Sequence, residues 1–178
     1  MSFDIQISDA LPRDFDNVEP LYQEAFPDED LLPLVKELLA GREDVLSLSA
    51  LADGKLVGHA IFTMCSIGGE KGGSVSNVAL LGPIAVMGEL QKLGIGSTLI
   101  REGFRRLTAE GIGQVFVLGD PNYYSRFEFS QDDLVAPPYP LPEKWGPAWR
   151  SIRLQPQDQA VSGTLSVPGP WQDVSLWA

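Results

Sequence analysis

A long apolar strand that runs through a glycine turn into an amphipathic helix is the feature that most restricts this fold. Residues 75–86 read as the strand, and the segment Leu90–Arg101, LQKLGIGSTLIR, opens the helix. Apolar residues continue the helical spacing at Leu99, Ile100, Phe104 and Leu107. Because the first amides of a helix have no intrahelical partner, this junction predicts a site for an anion.

The two common nucleotide-binding motifs do not fit this junction. A Walker loop requires Gly-Lys followed by Ser or Thr, whereas Gly94 is followed by Ile95. A dinucleotide fingerprint requires a third glycine at position 99, which is Leu99. Taken alone, the Gly-x-Gly pair is explained as well by a simple turn.

The rest of the pattern predicts an α/β (α+β) protein whose mixed, mostly antiparallel sheet is flanked by helices. Alternation at Phe3, Ile5 and Ile7 predicts a first strand, and Asp53-Gly54 predicts a hairpin turn. The other predicted elements are a helix capped by Asp14 or Asp16, a helix over 31–40 closed by Gly41, strands over 45–52, 55–65 and 115–118, and a loop over 68–73. Pro83 predicts a bulge or a local parting of strands, since proline cannot donate to a ladder.

The C-terminal quarter has a different composition. Eight of the fourteen prolines and all four tryptophans lie within residues 137–178. Tryptophans are costly to leave in water, so we expect an irregular arm, packed on a core of residues 1–136 as part of one domain. A hairpin is predicted around Pro168-Gly169-Pro170.

Composition excludes several classes of function. The formal net charge of −11 over 178 residues counts against binding to nucleic acid or an anionic membrane. A single cysteine, Cys65, excludes an internal disulfide, and one His with one Cys gives no zinc-site spacing. The lack of such spacing predicts a protein without a metal. No signal sequence or apolar run long enough for a bilayer is present, which predicts a cytoplasmic protein. A monomer and a homodimer both stay open.

Two motifs, in order, carry a resemblance to a known family. Gln91-Lys92-Leu93-Gly94-Ile95-Gly96 matches Q/R-x-x-G-x-G/A, and Leu118–Phe129, LGDPNYYSRFEF, is similar to a strand followed by Tyr-x-x-x-Gly-Phe. With LGPIAV before them, these motifs resemble the GNAT superfamily of N-acetyltransferases, and a YhbS-like bacterial subgroup in particular. The resemblance covers roughly residues 3–130 and implies the GNAT-type acyl-CoA N-acyltransferase fold. Glu128 departs from it, because the family has glycine there.

The resemblance implies where acetyl-CoA would bind as cosubstrate. Main-chain amides would hold its pyrophosphate at Lys92, Leu93, Gly94, Ile95, Gly96 and Ser97. The pantetheine arm would pair with the main chain of Ile84, Ala85 and Val86, like an added strand. Lys92, Arg101 and Arg126 either offset phosphate charge or are solvated surface cations.

The resemblance also implies an acid for the leaving CoA thiolate. Tyr124 occupies the matching position, four residues before Glu128, with Tyr123 as the fallback; alternatively both tyrosines only pack. The general base stays open between His59, Glu24 and a water chain. For His59 a buried, hydrogen-bonded ring is the more frequent explanation, and Cys65 is predicted to be a small buried hydrophobe.

The predicted function is transfer of an acetyl group from acetyl-CoA to a primary amine of a small molecule or peptide. The alternatives are a non-catalytic acyl-CoA-binding or regulatory module of the same fold, which Glu128 favours, and a nucleotide-binding protein. The acidic segment Phe26-Pro27-Asp28-Glu29-Asp30 would border the acceptor groove and attract cationic amines. Its other interpretation is a solvated loop that caps the next helix.

Overall fold

A computed structural model describes residues 4–68, 74–155 and 161–178, with the main chain alone at residues 74 and 76. The strands are β1 (Ile5–Asp9), β2 (Val45–Ala52), β3 (Lys55–Gly68), β4 (Ser74–Val86), β5 (Gln114–Leu118), β6 (Ser130–Gln131), β7 (Val135–Ala136), β8 (Trp149–Arg153) and β9 (Gly163–Ser166). The helices are α1 (Phe15–Ala25), α2 (Leu32–Leu38), α3 (Ile95–Ala109) and α4 (Pro121–Tyr124), joined in places by turns of 3-10 helix. Phe3 and residues 69–73 of the predicted loop lie outside the described residues.

The chain divides into two units. The first contains Met1–Phe62 and Gly82–Arg106, and the second contains Thr63–Leu81 and Leu107–Ala178. Strands follow the order β1-β2-β3-β4 in the first unit and β3-β4-β5-β8-β6 in the second, where β9 pairs with β3 and β7. Antiparallel pairs outnumber parallel ones, so the predicted mixed, mostly antiparallel sheet is confirmed. The assignment of the chain to one domain stays a prediction.

The hairpin between β2 and β3 forms at the predicted turn. Asp53 and Gly54 have φ angles of +52° and +78°, which is the left-handed pair that a two-residue hairpin of the right twist requires. Beside it β1 pairs antiparallel with β2, with Ile5 opposite Ala52.

Helices α1 and α2 form where predicted, but the cap of α1 differs. Asp14 precedes α1 without a side-chain bond to the helix amides. Its carboxylate instead accepts a hydrogen bond from the Leu11 amide at 2.7 Å, within the 3-10 turn that precedes the helix. Asp14 and Asp16 therefore do not cap α1 as expected; the side chain of Asp14 closes the preceding turn.

Strand β3 is covered on both faces in the first unit. His59 lies edge-on to Tyr22 of α1, with ring centroids 5.6 Å apart. A Cβ at Gly58 would meet Ile95 and Leu99 of α3. Because successive side chains point to opposite faces of a strand, α1 and α3 cover opposite faces of β3. This double cover explains why residues 57–62 are all buried.

Pairing between β4 and β5 is parallel and short in the second unit. It runs from Val78 opposite Gln114 to Leu81 opposite Val117 and ends there, just before Gly82-Pro83. The local parting that Pro83 predicts is therefore found. On its other side β5 pairs antiparallel with β8 along its full length.

The C-terminal residues are more regular than predicted, because they supply β8 and β9. Three of the tryptophans are buried, and each indole donates to an oxygen of the second unit: Trp149 to Val135, Trp171 to Thr63 and Trp177 to Trp171. The hairpin predicted around Pro168-Gly169-Pro170 is wrong. The chain there turns through a 3-10 helix, Gly169–Trp171, which buries Trp171 rather than pairing a further strand.

Gly103 yields a prediction about stability. It lies in the middle of α3, and a Cβ there would overlap the ring of Phe62, which is fully buried. Overpacking costs about 1–3 kcal/mol, and Ala gains about 1 kcal/mol over Gly inside a helix. We expect Gly103→Ala to lower the free energy of unfolding by about 1 kcal/mol, the middle of the range that these two terms leave, measured by urea titration. Gly146→Ala is the control, since its Cβ would meet no atom within 4 Å; Gly103→Ala as stable as Gly146→Ala would contradict the packing argument.

Candidate functional site

The turn between β4 and α3 presents free helix amides in the first unit. The first intrahelical bonds run from the Thr98 amide and hydroxyl to the Gly94 carbonyl, at 3.0 and 2.9 Å. The amides of Ile95, Gly96 and Ser97 therefore precede the hydrogen-bonded part of the helix. An anion is the ligand that such a helix start stabilises.

The backbone conformation at position 94 requires glycine, whereas neighbouring atoms would leave room for a side chain. Its φ is +89°, and a Cβ added there would meet no atom within 4 Å. Lys92 also has a positive φ, +68°, so the loop bends sharply twice before α3 begins. The open space in front of Gly94 leaves room for an approaching group. Residues 91–94 are exposed.

The end of β4 offers main-chain groups on one edge. The Met87 amide donates to the Val57 carbonyl of β3 at 2.9 Å. Because main-chain groups alternate along a strand, those of Ile84 and Val86 point away from β3. The Gln91 side-chain amide donates to the Val86 carbonyl at 3.1 Å, which ties the loop to the strand. The sequence identifies Gln91 only as one position of a motif, so this bracing role was not predicted.

The three predicted cations differ in their surroundings. Lys92 and Arg101 are exposed in the first unit. Arg126, in the second unit, places its guanidinium over the Tyr123 ring, 5.5 Å from the centroid. A stacked arginine is held in one direction by the ring, whereas Lys92 keeps its side-chain freedom.

The predicted acid lies on α4 in the second unit. Asp120 caps α4 by accepting from the Asn122 amide at 2.9 Å. The Tyr124 ring is 8% exposed and packs edge-on against Tyr123 and Phe129. Burial raises the pKa of Tyr124 well above its ordinary value, with smaller contributions from Tyr123 and Asp120. The hydroxyl therefore stays protonated at neutral pH, as a proton donor requires.

Glu128 keeps the backbone angle that glycine would supply. Its φ and ψ are +70° and +14°, in the left-handed region, and its amide donates to the Ser125 carbonyl at 3.1 Å. A non-glycine residue in that region costs roughly 1–2 kcal/mol. The substitution therefore changes the side chain at this turn, while the backbone keeps a left-handed conformation that glycine also adopts.

His59 is a buried residue with both ring nitrogens hydrogen-bonded. Nδ1 lies 2.8 Å from Tyr22 Oη, and Nε2 lies 2.7 Å from Ser47 Oγ. Burial lowers the pKa of His59 to about 3, so the ring is neutral at pH 7. With 0% of its surface exposed, His59 cannot meet an acceptor amine directly. Tyr22 and Ser47 were not predicted, since nothing in the sequence spacing pairs them with His59.

The other candidates are less suited to chemistry. Glu24 is exposed on α1, and its carboxylate lies against Gly88. Cys65 is buried, with its thiol directed at the Thr63 carbonyl at 3.3 Å, as expected of a small core residue. Asp28, Glu29 and Asp30 are exposed between α1 and α2.

Neither a metal-binding cluster nor a membrane-spanning helix is found among the described residues. Among residues 4–68, 74–155 and 161–178, no group of three or more His, Cys, Asp or Glu side chains is arranged to hold a metal ion. In the same part of the chain no helix combines the length and apolar character needed to cross a membrane.

Two proteins of Escherichia coli are similar to about two thirds of this chain or more. The uncharacterised N-acetyltransferase YjhQ of Escherichia coli K12 is 37% identical over 128 residues, 70% of each chain. The uncharacterised N-acetyltransferase YhbS of the same strain is 31% identical over 123 residues, 67% of this chain and 70% of that one.

Two solved structures have the same fold over nearly the whole chain. The structure of Escherichia coli YhbS in complex with CoA has a TM-score of 0.80 and 25% identity, and covers 96% of this chain and 93% of that one. A GNAT family acetyltransferase from Brucella melitensis, in complex with acetyl-CoA, has a TM-score of 0.74 and 26% identity, over 96% and 100% of the two chains. The sequence profile of the Acetyltransferase (GNAT) family matches residues 13–129. The chain therefore belongs to the GNAT family of acetyltransferases and has its fold.

Proposed function

We propose that this protein transfers an acetyl group from acetyl-CoA to a primary amine. The observation that carries the proposal is the turn at Gly94, which leaves the amides of Ile95, Gly96 and Ser97 unpaired at the start of α3. Family membership and the relatives crystallised with CoA or acetyl-CoA support the same ligand.

The donor would be held almost entirely by the main chain. The amides of residues 92–97 would bind the pyrophosphate, and the Ile84 carbonyl and the Val86 N–H, which point away from β3, would pair with the pantetheine amides. Main-chain donors suit a protein with a net charge of −11, because helix amides attract phosphate without needing many cations. Lys92 is the exposed cation within that loop.

The chemical step would be direct transfer. An acceptor that arrives as an ammonium ion first loses one proton to solvent water. The neutral amine then adds to the thioester carbonyl and forms the C–N bond, the C–S bond breaks, and the thiolate takes a proton from the Tyr124 hydroxyl. The excess proton on the amine passes to solvent water, and Tyr124 is reprotonated from solvent. His59 takes no part as a base, since both of its nitrogens are bonded and buried.

The acceptor would be a cationic amine. Three exposed carboxylates, Asp28, Glu29 and Asp30, follow α1 and add to the negative field of the whole chain. Such a field raises the local concentration of cations and repels acidic peptides. The first assay is CoA thiol release from acetyl-CoA with a panel containing a polyamine, a basic peptide, a neutral amine and an acidic peptide. Faster thiol release with the polyamine and the basic peptide, by a margin that shrinks with added salt, would support a cationic acceptor.

The rival function is acyl-CoA binding without catalysis. Glu128 favoured that rival because it replaces a glycine, but the left-handed backbone at Glu128 preserves the turn after α4. Catalysis is therefore the better supported function. Binding of acetyl-CoA without thiol release for any amine would favour the rival.

The phosphate site predicts a charge effect at Gly94. Asp and Asn have the same shape and both tolerate left-handed backbone, so Gly94→Asp and Gly94→Asn differ mainly by one negative charge. Two unit charges about 4 Å apart repel by about 1–4 kcal/mol near a protein surface. We expect Gly94→Asp to bind CoA about tenfold or more weakly than Gly94→Asn by calorimetry at low salt. Equal affinities of the two variants for CoA would mean that the pyrophosphate does not bind at this loop.

The acid predicts a selective loss of turnover at Tyr124. Tyr124→Phe keeps the ring that packs on Phe129 and removes the hydroxyl. Loss of a general acid slows the step by roughly 10²–10⁴-fold. We expect kcat to fall by that order with the Kd for CoA unchanged, measured by thiol release and calorimetry.

Tyr123→Phe is the matched control for Tyr124→Phe. Tyr123 is the half-buried neighbour, packed edge-on to Tyr124 with ring centroids 5.0 Å apart. Wild-type kcat is expected for this variant. The reverse result, a loss in Tyr123→Phe alone, would transfer the role of acid to Tyr123.

A further inference from the structure

A buried hydrogen-bond chain in the first unit ends on the main chain of β4. Ser47 Oγ lies 2.7 Å from His59 Nε2, and His59 Nδ1 lies 2.8 Å from Tyr22 Oη. The Tyr22 hydroxyl donates to the Pro83 carbonyl at 3.3 Å. Tyr22 and His59 are 1% and 0% exposed, so bulk water does not compete for these bonds.

One placement of the protons gives every group of this hydrogen-bond chain a partner. The neutral ring of His59 carries one N–H, and Tyr22 carries one O–H. If Tyr22 donates to Pro83, His59 must donate to Tyr22 from Nδ1, and Ser47 must then donate to Nε2. The opposite tautomer would turn the Tyr22 proton toward His59 and leave the Pro83 carbonyl without it. Burial raises the pKa of Tyr22 well above its ordinary value, which keeps its proton in place.

The Pro83 carbonyl is coupled to the next amide along the chain. The carbonyl of Pro83 and the N–H of Ile84 belong to one planar trans peptide group and point in opposite directions. A donor on the carbonyl therefore fixes the direction of the N–H. It also strengthens the N–H as a donor, since hydrogen bonds in series polarise one another.

We propose that Tyr22 is a positioning residue that aims the Ile84 N–H at the thioester carbonyl of acetyl-CoA, with Ser47 and His59 holding its proton toward Pro83. The inference rests on the proposed acetyl transfer and adds the side chains that prepare its donor site. Negative charge develops on the thioester oxygen as the amine adds, and a preset N–H stabilises that charge.

The main test compares Tyr22→Phe with Tyr139→Phe. Both changes remove a hydroxyl that donates to a main-chain carbonyl, since Tyr139 donates to Gln172 at 3.0 Å in the second unit. The readout is the infrared carbonyl stretch of bound [1-13C]acetyl-CoA, which reports hydrogen bonding to the thioester oxygen. In Tyr22→Phe the stretch is expected to move toward that of the free ligand, and in Tyr139→Phe to stay at the wild-type position.

Kinetics give a second readout for the same pair. Removing an oxyanion donor outright costs about 10²–10³-fold in kcat, and Tyr22→Phe keeps the donor but weakens it, so a fall of about three- to tenfold is expected. The Kd for CoA, which has no thioester, should not change. A loss of CoA affinity equal to the loss of kcat would mean that Tyr22 only supports the fold.

Ser47 provides a variant that leaves Tyr22 packing intact. Ser47→Ala removes the donor to His59 Nε2 and frees the ring to change tautomer, so the carbonyl stretch should move in the same direction by less. Ser47→Thr keeps a hydroxyl, so the carbonyl stretch should return to the wild-type position. The chain has one histidine, so 15N NMR of untagged protein reads the tautomer without ambiguity. Nδ1–H is expected in the wild type at pH 7, and Nε2–H would overturn the proposal.

Failure of this inference and failure of the proposed function give different results. No binding of acetyl-CoA or CoA by the wild-type protein would overturn the proposed function. Wild-type binding and turnover, with an unshifted carbonyl stretch in Tyr22→Phe and Ser47→Ala, would overturn the role of Tyr22 alone.

Discussion

The cover of β3 by a helix on each face is the constraint on which the first unit depends. Its even-numbered side meets α3 through Gly58 and Phe62, and its odd-numbered side meets α1 through His59 and Tyr22. A strand buried on both faces has no solvated side for a polar residue. His59 is therefore accommodated as a neutral ring with a partner on each nitrogen.

Strand β4 pairs with β5 along its first part and leaves that pairing near its end. Main-chain pairing with β5 ends at Leu81, and the next residues carry Pro83, whose carbonyl accepts from Tyr22. Beyond that point the groups of Ile84 and Val86 turn away from β3. A strand that pairs with β5 along one part of its length thus ends with main-chain groups that point away from β3, and the Tyr22 hydroxyl of α1 donates to the carbonyl that precedes them.

The start of α3 offers a local site for an anion, although the chain as a whole is acidic. The chain carries a net charge of −11, and the α3 helix start offers amides where an anion is expected. Glu102 on α3 is instead bonded to Arg105 and Arg106, and Arg106 also pairs with Asp9 of β1. These contacts hold Glu102, the one acidic side chain of α3, against the arginines of its own helix, and they hold Arg106 against Asp9.

Local spacing determined the strands β1–β5, the helices α1–α3, the Asp53-Gly54 turn and the loop at Gly94, because each depends on residues within a few positions of one another. The two family motifs, read from the sequence, also identified the family and proposed Tyr124. Tertiary structure decided what depends on distant residues: the regular strands β8 and β9 in place of an irregular arm, the closeness of Gly103 to Phe62, and the left-handed turn kept by Glu128. The bonds from His59 to Tyr22 and Ser47 join residues 37 and 12 positions apart, and the bond from Tyr22 to Pro83 spans 61. No periodicity in the sequence encodes such pairs. The packing of α1 on the sheet brings Tyr22 to His59 and Pro83, and the pairing of β2 with β3 brings Ser47 to His59.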